Sequence, residues 1–249
     1  MSNSSQKLES LLGKYSRFVP VSNFQYSINI STKYNYVYVE TPKVGCSTIK
    51  SVLQKAEIND PYFFRPDFED IHNRGFSPLL KPSQVGNLDT FIENNKPFTF
   101  CFSRNPYSRL LSAYLDKIDS NRPQKKNVLL HLGKDISDLG HKVSFDEFLK
   151  VVCEQPIANM DTHWRIQYYQ TFQDSINYDF MGKLENFTED FVFVLDKLSI
   201  DHEKFLSDER RHAKGADELI KDFYTPKLQN LVQEKYAKDF DYFDYKLDL

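Results

Sequence analysis

Twice in the first half of the chain, a short apolar run leads into a tight polar turn and then into apolar residues at helical spacing. The first instance spans residues 34–55 and the second 98–118. In the first, Tyr34, Asn35, Tyr36, Val37, Tyr38 and Val39 form a β-branched and aromatic run with almost no polar break, as a strand buried on both faces would. Ile49, Val52, Leu53 and Ala56 then recur at i, i+3, i+4 and i+7. In the second, Phe98, Phe100, Cys101 and Phe102 make the strand. Pro106 stands where a helix can begin, and Leu111, Tyr114, Leu115 and Ile118 make the stripe. Successive strand–loop–helix units predict an α/β fold with a parallel central sheet flanked by helices. Ligands of such sheets sit beyond the carboxyl ends of the strands, so both loops are expected on one edge.

The remaining chain fits around these units as one domain over 1–249, with a polar lead over 1–20 and a short helix near Leu8–Leu12. Phe24, Tyr26, Ile28 and Ile30 alternate with polar residues and predict a half-exposed edge strand over 24–30. Prolines 61, 66, 78, 82 and 97 predict short, irregular structure over 57–97. The basic stretch 120–142 reads as a solvated loop or an acceptor flap. Ser144 with Glu147 predicts a capping box. Residues 178–181 read as a third strand, with Asn186 and Glu189 capping the helix after it. Residues 207–218 read as a charged loop. Thr225-Pro226 starts the last helix, and the tail 239–245 is expected on the sheet edge.

A net charge of −3 disfavours a broad nucleic-acid or membrane surface, and no window approaches the roughly 20 apolar residues of a membrane span. The three cysteines, Cys46, Cys101 and Cys153, show no metal-ligand spacing and fit a reducing compartment. No metal is signalled. No secretory leader is read at the N-terminus, and the expected location is cytoplasmic. Oligomeric state is not legible.

The two turns carry the chemistry. Between strand and helix, Thr41-Pro42-Lys43-Val44-Gly45-Cys46-Ser47-Thr48 would offer backbone N–H groups at the positive end of a helix dipole, with two hydroxyls and one ammonium. That describes an anion site; an ordinary strand-to-helix turn with a solvated lysine is the alternative. The lysine precedes the glycine, so this is not the G-x-x-x-x-G-K-[ST] loop of common nucleotide kinases. The second turn offers Arg104, whose planar fork suits phosphate, with Ser112 two turns into the helix.

Together these segments resemble the two cofactor motifs of the PAPS-dependent (3′-phosphoadenosine 5′-phosphosulfate) carbohydrate sulfotransferases, the family that includes the HNK-1 and chondroitin 4-O enzymes. That family carries a Pro-Lys-x-Gly-Cys-[ST] loop for the 5′-phosphosulfate, matched by residues 42–47. It also carries an Arg-x-Pro-x-x-Arg-Leu-x-Ser-Ala-Tyr segment for the 3′-phosphate, matched by residues 104–114. His163-Trp164, residues 178–186 and the aromatic ending 236–245 extend the likeness. Asn105 departs from it, since aspartate is commoner there.

The resemblance implies a P-loop-like fold and a soluble bacterial member. It implies transfer of a sulfuryl group from PAPS to a hydroxyl of a glycan or glycolipid, giving PAP, without metal. Lys43, Val44, Gly45, Cys46, Ser47, Thr48, Arg104 and Ser112 would hold the donor. Lys214, in the basic run 210–215, would close over it. His72, between the two motifs, is the expected general base, with His163 and Glu185 behind it; Trp164 would stack on a sugar or fill the core. The acceptor itself is not legible. A P-loop-type kinase and a non-catalytic anion-binding protein of the same fold are the competing readings.

Overall fold

The structure, a computed structural model, describes residues 14–15, 17–62, 71–206 and 215–249. In chain order its helices are α1 Val21–Ser27, α2 Cys46–Ile58, α3 Leu88–Asn95, α4 Pro106–Ala113, α5 Lys125–His131, α6 Phe145–Glu154, α7 Gln167–Gln170, α8 Phe187–Lys197, α9 His202–Leu206, α10 Gly215–Phe223, α11 Pro226–Lys235 and α12 Ala237–Tyr242. The strands are β1 Ile28–Ser31, β2 Tyr36–Val39, β3 Phe98–Ser103 and β4 Phe180–Lys183. The chain divides into two compact units, one within Met1–Ser103 and Thr171–His212, the other within Arg104–Gln170 and Ala213–Leu249.

The first unit holds the sheet, in the order β1-β2-β3-β4. The expected parallel core is β2-β3-β4, and β1 joins it as an antiparallel edge. Strand side chains alternate between two apolar layers. Tyr36, Tyr38, Phe100 and Phe102 pack with Ile49, Val52 and Leu53 of α2 and Phe191, Val194 and Leu195 of α8. Ile28, Ile30, Val37, Val39 and Cys101 pack with Phe24 of α1, Leu88 of α3 and Phe172. Since β2 and β3 run parallel, the chain leaves both at the same edge of the sheet, at Glu40 and at Ser103.

Several boundaries differ from expectation. The first part of the predicted edge strand 24–30 is helical: Pro20 precedes α1, and Phe24 and Ile28 are four apart, a spacing that strand and helix periods share. β1 itself is buried at all four positions. The proline-rich stretch contains α3, started by Asn87, whose side chain accepts from Thr90 N at 3.0 Å. The basic stretch contains α5, in which Lys125 is buried and bonded to Asn121 Oδ1 at 2.6 Å. The third strand begins two residues late, because Asp179 turns its carboxylate onto Thr99 N at 2.7 Å. The predicted Asn186 cap is absent from α8, which is entered through a 3-10 turn, Leu184–Asn186; Asp190 instead accepts from Lys183 N at 2.7 Å. Residues 8–12 lie outside the described residues, as do 207–214 of the expected charged loop; residues 215–218 of that loop are helical, in α10.

The second unit is helical around one core that includes Tyr107, Phe148, Trp164, Val232 and Tyr236. The Ser144–Glu147 capping box forms as expected. Asn105 caps α4 by accepting from Tyr107 N at 2.9 Å, with Pro106 at the first helical position. A π segment, Tyr114–Asp119, continues α4. The tail, expected on the sheet edge, packs within the second unit. It forms α12, with Phe240 5.1 Å from the Tyr107 ring and the buried Asp239 accepting from Gln167 N and Tyr168 N at 2.9 and 2.8 Å.

Candidate active site

In the first unit, β2 ends in a loop whose backbone enters the left-handed region twice within three residues, at Lys43 (φ 70°) and Gly45 (φ 82°). Such a conformation is costly for any residue with a side chain. At Gly45 it is also enforced by packing: a Cβ there would stand 2.8 Å from Phe187 Cε2. The tight reversal starts α2 at Cys46 and leaves the amides of Cys46, Ser47 and Thr48 without helical acceptors. At the head of the loop, the buried Thr41 hydroxyl has no hydrogen-bond partner. Valine 44 fills the core beneath. A loop rich in donors and poor in acceptors, at a helix N-terminus, fits an anion.

Beneath this loop lies a charged cluster. Lys50 Nζ is 2.7 Å from Glu40 Oε2, and both side chains are buried. Lys50 also lies over the Tyr26 ring, 4.8 Å from its centroid. His72 reaches the cluster from the segment after residue 70. Its Nδ1 stands 3.4 Å from Glu40 Oε1 and 3.4 Å from Lys50 Nζ, and its Nε2 3.0 Å from Ser47 Oγ. The segment is held on both sides. Gln54 Nε2 of α2 donates to Ile71 O at 3.0 Å, and Arg74 donates to Ile28 O at 2.9 Å, to Leu80 O at 3.0 Å and to Asn29 Oδ1. Burial raises the Glu40 carboxyl, but Lys50 and His72 outweigh it and hold the group down at about 2. Burial pushes the Cys46 thiol up to about 12, with Glu40 adding to it and Lys50 and Lys43 pulling back. Glu40, Cys46 and His72 offer three ligand atoms within 4.8 Å. The cation already between two of them is Lys50.

In the second unit, Arg104 follows β3 directly. Its guanidinium is largely buried, and Nε donates to Ser108 Oγ at 2.9 Å. Its main chain is clamped by Gln167, whose Oε1 accepts from Arg104 N at 2.9 Å while Nε2 donates to Arg104 O at 2.8 Å. Ser108 and Ser112 are spaced by four on α4 and share one face; Arg104 stands before the helix and joins Ser108 through its Nε bond. Arg109 belongs to the core: its guanidinium donates to Arg165 O at 2.7 Å and Thr162 O at 3.0 Å.

Those bonds pin the turn that carries His163. His163 Nδ1 lies 2.6 Å from Asp161 Oδ1, which also accepts from His163 N at 2.9 Å, so the ring is held within its own turn. Trp164 is fully buried, with Nε1 donating to Gln155 Oε1 at 3.1 Å; of its two readings, core filling is the one realised. Glu185 is exposed in the 3-10 turn before α8. Lys214 lies outside the described residues.

The description "sulfotransferase family" belongs to the family model that matches residues 26–246. The chain belongs to this family. Among curated sulfotransferases it is 27% identical to carbohydrate sulfotransferase 14 of Homo sapiens over 232 residues, covering 88% of this chain and 60% of that protein. It is 28% identical to carbohydrate sulfotransferase 14 of Mus musculus with the same coverage, 88% and 60%. Against carbohydrate sulfotransferase 9 of Homo sapiens it is 27% identical, over 88% of this chain and 53% of that protein. The chain therefore spans roughly three fifths or less of the length of these sulfotransferases. No solved structure is matched. No helix among the described residues is long and apolar enough to cross a membrane.

Sequence reading singled out Lys43, Gly45, Ser47, Thr48, His72 and Arg104 and missed Glu40, Lys50 and Ser108. Signals were present. Lys50 lies three residues before Leu53, inside the α2 stripe, and an acid directly follows the buried run of β2. A charge inside an apolar stripe needs a buried partner. Ser108 stands four residues from both Arg104 and Ser112.

Proposed function

We propose that this sulfotransferase moves the sulfuryl group of PAPS to a hydroxyl of a carbohydrate acceptor, with release of PAP. The carrying observation is the contact of His72 Nε2 with Ser47 Oγ at 3.0 Å, which sets a histidine against an anion-binding loop. The names of the relatives support a carbohydrate acceptor. The first-turn amides of α2, with the Thr41, Ser47 and Thr48 hydroxyls, take the 5′-phosphosulfate; Arg104, Ser108 and Ser112 take the 3′-phosphate. Lys43 sets its charge against the bridging oxygen on which negative charge grows as sulfur leaves, the position where a fixed cation is worth most.

PAPS supplies the activated sulfuryl group, and the rest of the chemistry falls to the chain. A sugar hydroxyl needs to lose its proton as it attacks, and a base near neutral pH suits that step. His72 takes this role and moves the acceptor proton to Nε2. His163, tied at Nδ1 into its own turn, is assigned to shaping that turn. Cytoplasmic residence is part of the proposal, supported by three cysteines that form no disulfide.

Thermal unfolding with added PAP tests the reading. At about 100 times its Kd, PAP contributes roughly 2.7 kcal/mol, a clear rise in Tm, and labelled PAPS then passes its sulfur to at least one member of a glycan panel. A rise with ATP and magnesium and none with PAP would leave a kinase instead.

A further inference from the structure

We propose that Glu40 is the positioning residue of the reaction: it accepts a hydrogen bond from Nδ1–H of His72, fixes the ring tautomer, and so leaves Nε2 as the basic nitrogen. The inference rests on the reading of His72 as the base, and it adds the group that makes the base usable.

Among the described residues, the Glu40 carboxylate and the Lys50 ammonium each stand 3.4 Å from Nδ1. They demand opposite tautomers. If Lys50 donated to Nδ1, the ring proton would sit on Nε2, pointed at Ser47, and the nitrogen nearest the loop would have no lone pair to offer. If Glu40 accepts from Nδ1–H, Nε2 is the acceptor; without PAPS the Ser47 hydroxyl donates to it, and with PAPS bound that single O–H turns to the phosphosulfate and frees Nε2.

The geometry favours Glu40. Lys50 already spends its short contact on the other carboxylate oxygen, at 2.7 Å, and rests on the Tyr26 ring. An Nδ1 lone pair would face Glu40 Oε1, an anion against a lone pair in a buried place. The ordinary rule for histidine is that the bond made by one nitrogen decides the state of the other. The two carboxylate oxygens are thereby divided: Oε2 is neutralised by Lys50 and Oε1 orients His72. This also gives the buried ion pair a purpose beyond stability, since buried pairs are often no more stable than apolar substitutes. The segment carrying His72 is clamped by Gln54 and Arg74, so the ring has little freedom to escape the carboxylate.

The test reads the ring directly. The full chain is labelled with nitrogen-15 at its six histidines, and His72 is assigned by its loss in His72→Gln. Long-range proton–nitrogen correlations near pH 8, where free histidine is neutral, then report the tautomer. The expected result is a proton on Nδ1 and a bare Nε2. A proton on Nε2 overturns the proposal, whatever the activity. In Glu40→Gln, the amide can present either an acceptor or a donor to Nδ1. Its kcat is expected to fall about ten- to a hundredfold, as for removal of other orienting partners, with the PAP Kd within about twofold of the unmutated chain. A kcat within about twofold of normal would also overturn the proposal. If Glu40→Gln fails to fold, the tautomer of the unmutated chain decides alone. Failure of the unmutated chain to transfer sulfur from PAPS would refute the functional reading separately, and the tautomer would still be read.

Discussion

Two residues of one loop, Lys43 and Gly45, answer to different constraints. Gly45 is fixed by backbone shape and by the Phe187 ring at 2.8 Å from its missing Cβ. Gly45→Ala is expected to cost about 1–3 kcal/mol from the left-handed backbone alone and to weaken PAP binding; urea unfolding and calorimetric titration measure the two. Lys43 is placed by the loop but acts through its charge. Lys43→Ala is expected to lower kcat about a hundredfold or more while PAP affinity changes little; an equal loss in both would make it a binding residue only. At this scale the sequence was informative wherever the chemistry was local, as in the loop 41–48, where glycine, lysine and hydroxyls stand side by side. It carried a signal at Lys50, a charge in need of a buried partner, but did not pair it with Glu40, nor His72 with Ser47, because 10 and 25 positions separate the partners. Only the fold closes those gaps.

Among the helices, α7 and α12 are joined by one buried carboxylate as well as by the Tyr168–Tyr242 ring contact at 4.9 Å. Asp239 accepts from Gln167 N, Tyr168 N and Gln167 Nε2, the last at 3.3 Å. Asp239→Ala leaves those buried donors without an acceptor and is expected to destabilise the second unit by about 3 kcal/mol. Trp164, the only tryptophan, reports it by fluorescence from the same core. Burial lifts Asp239 from its ordinary 3.8 to about 6, against the pull of its donors. Folding therefore retains a proton that the unfolded chain gives up. Its contribution is full below about 3.8 and is lost as pH rises through about 6. Glu40 runs the other way, contributing above its ordinary 4.5 and losing that contribution as pH falls through about 2. Asp239→Asn should flatten the fall in Trp164-reported stability between pH 4 and 6; an unchanged slope would assign that fall to other groups. Elements were legible where caps and periods agreed, as at Ser144 and Pro106. They were missed where prolines or basic residues masked a helix, as in α3 and α5, and where spacings of four served two periods, as at Phe24 and Ile28.

Across the whole molecule, the three thiols make a probe of opening. Cys46 and Cys101 belong to the first unit and Cys153 to the second. Burial lifts all three, Cys46 and Cys153 to about 12 and Cys101 higher still. A thiol that is not ionised does not attack. Ellman's reagent at pH 8 is therefore expected to find almost no fast thiol in the native chain and all three in denaturant. A single rapid thiol would show that one site is more open than described. The α/β class and the parallel pairing of β2 with β3 were legible because each strand–loop–helix unit is contiguous. The division into two units was not, because both units are built from separated stretches of chain.

That discontinuity bears on biosynthesis. β3 pairs with β4 across 80 positions, as in the register of Phe100 with Phe180, and residues 104–170 come between them. At roughly 5–20 residues per second, a ribosome needs on the order of ten seconds to deliver β4 after β3 has emerged. For that interval the Phe98–Ser103 strand has an open edge and bare aromatic side chains, the kind of surface that holdase chaperones shield.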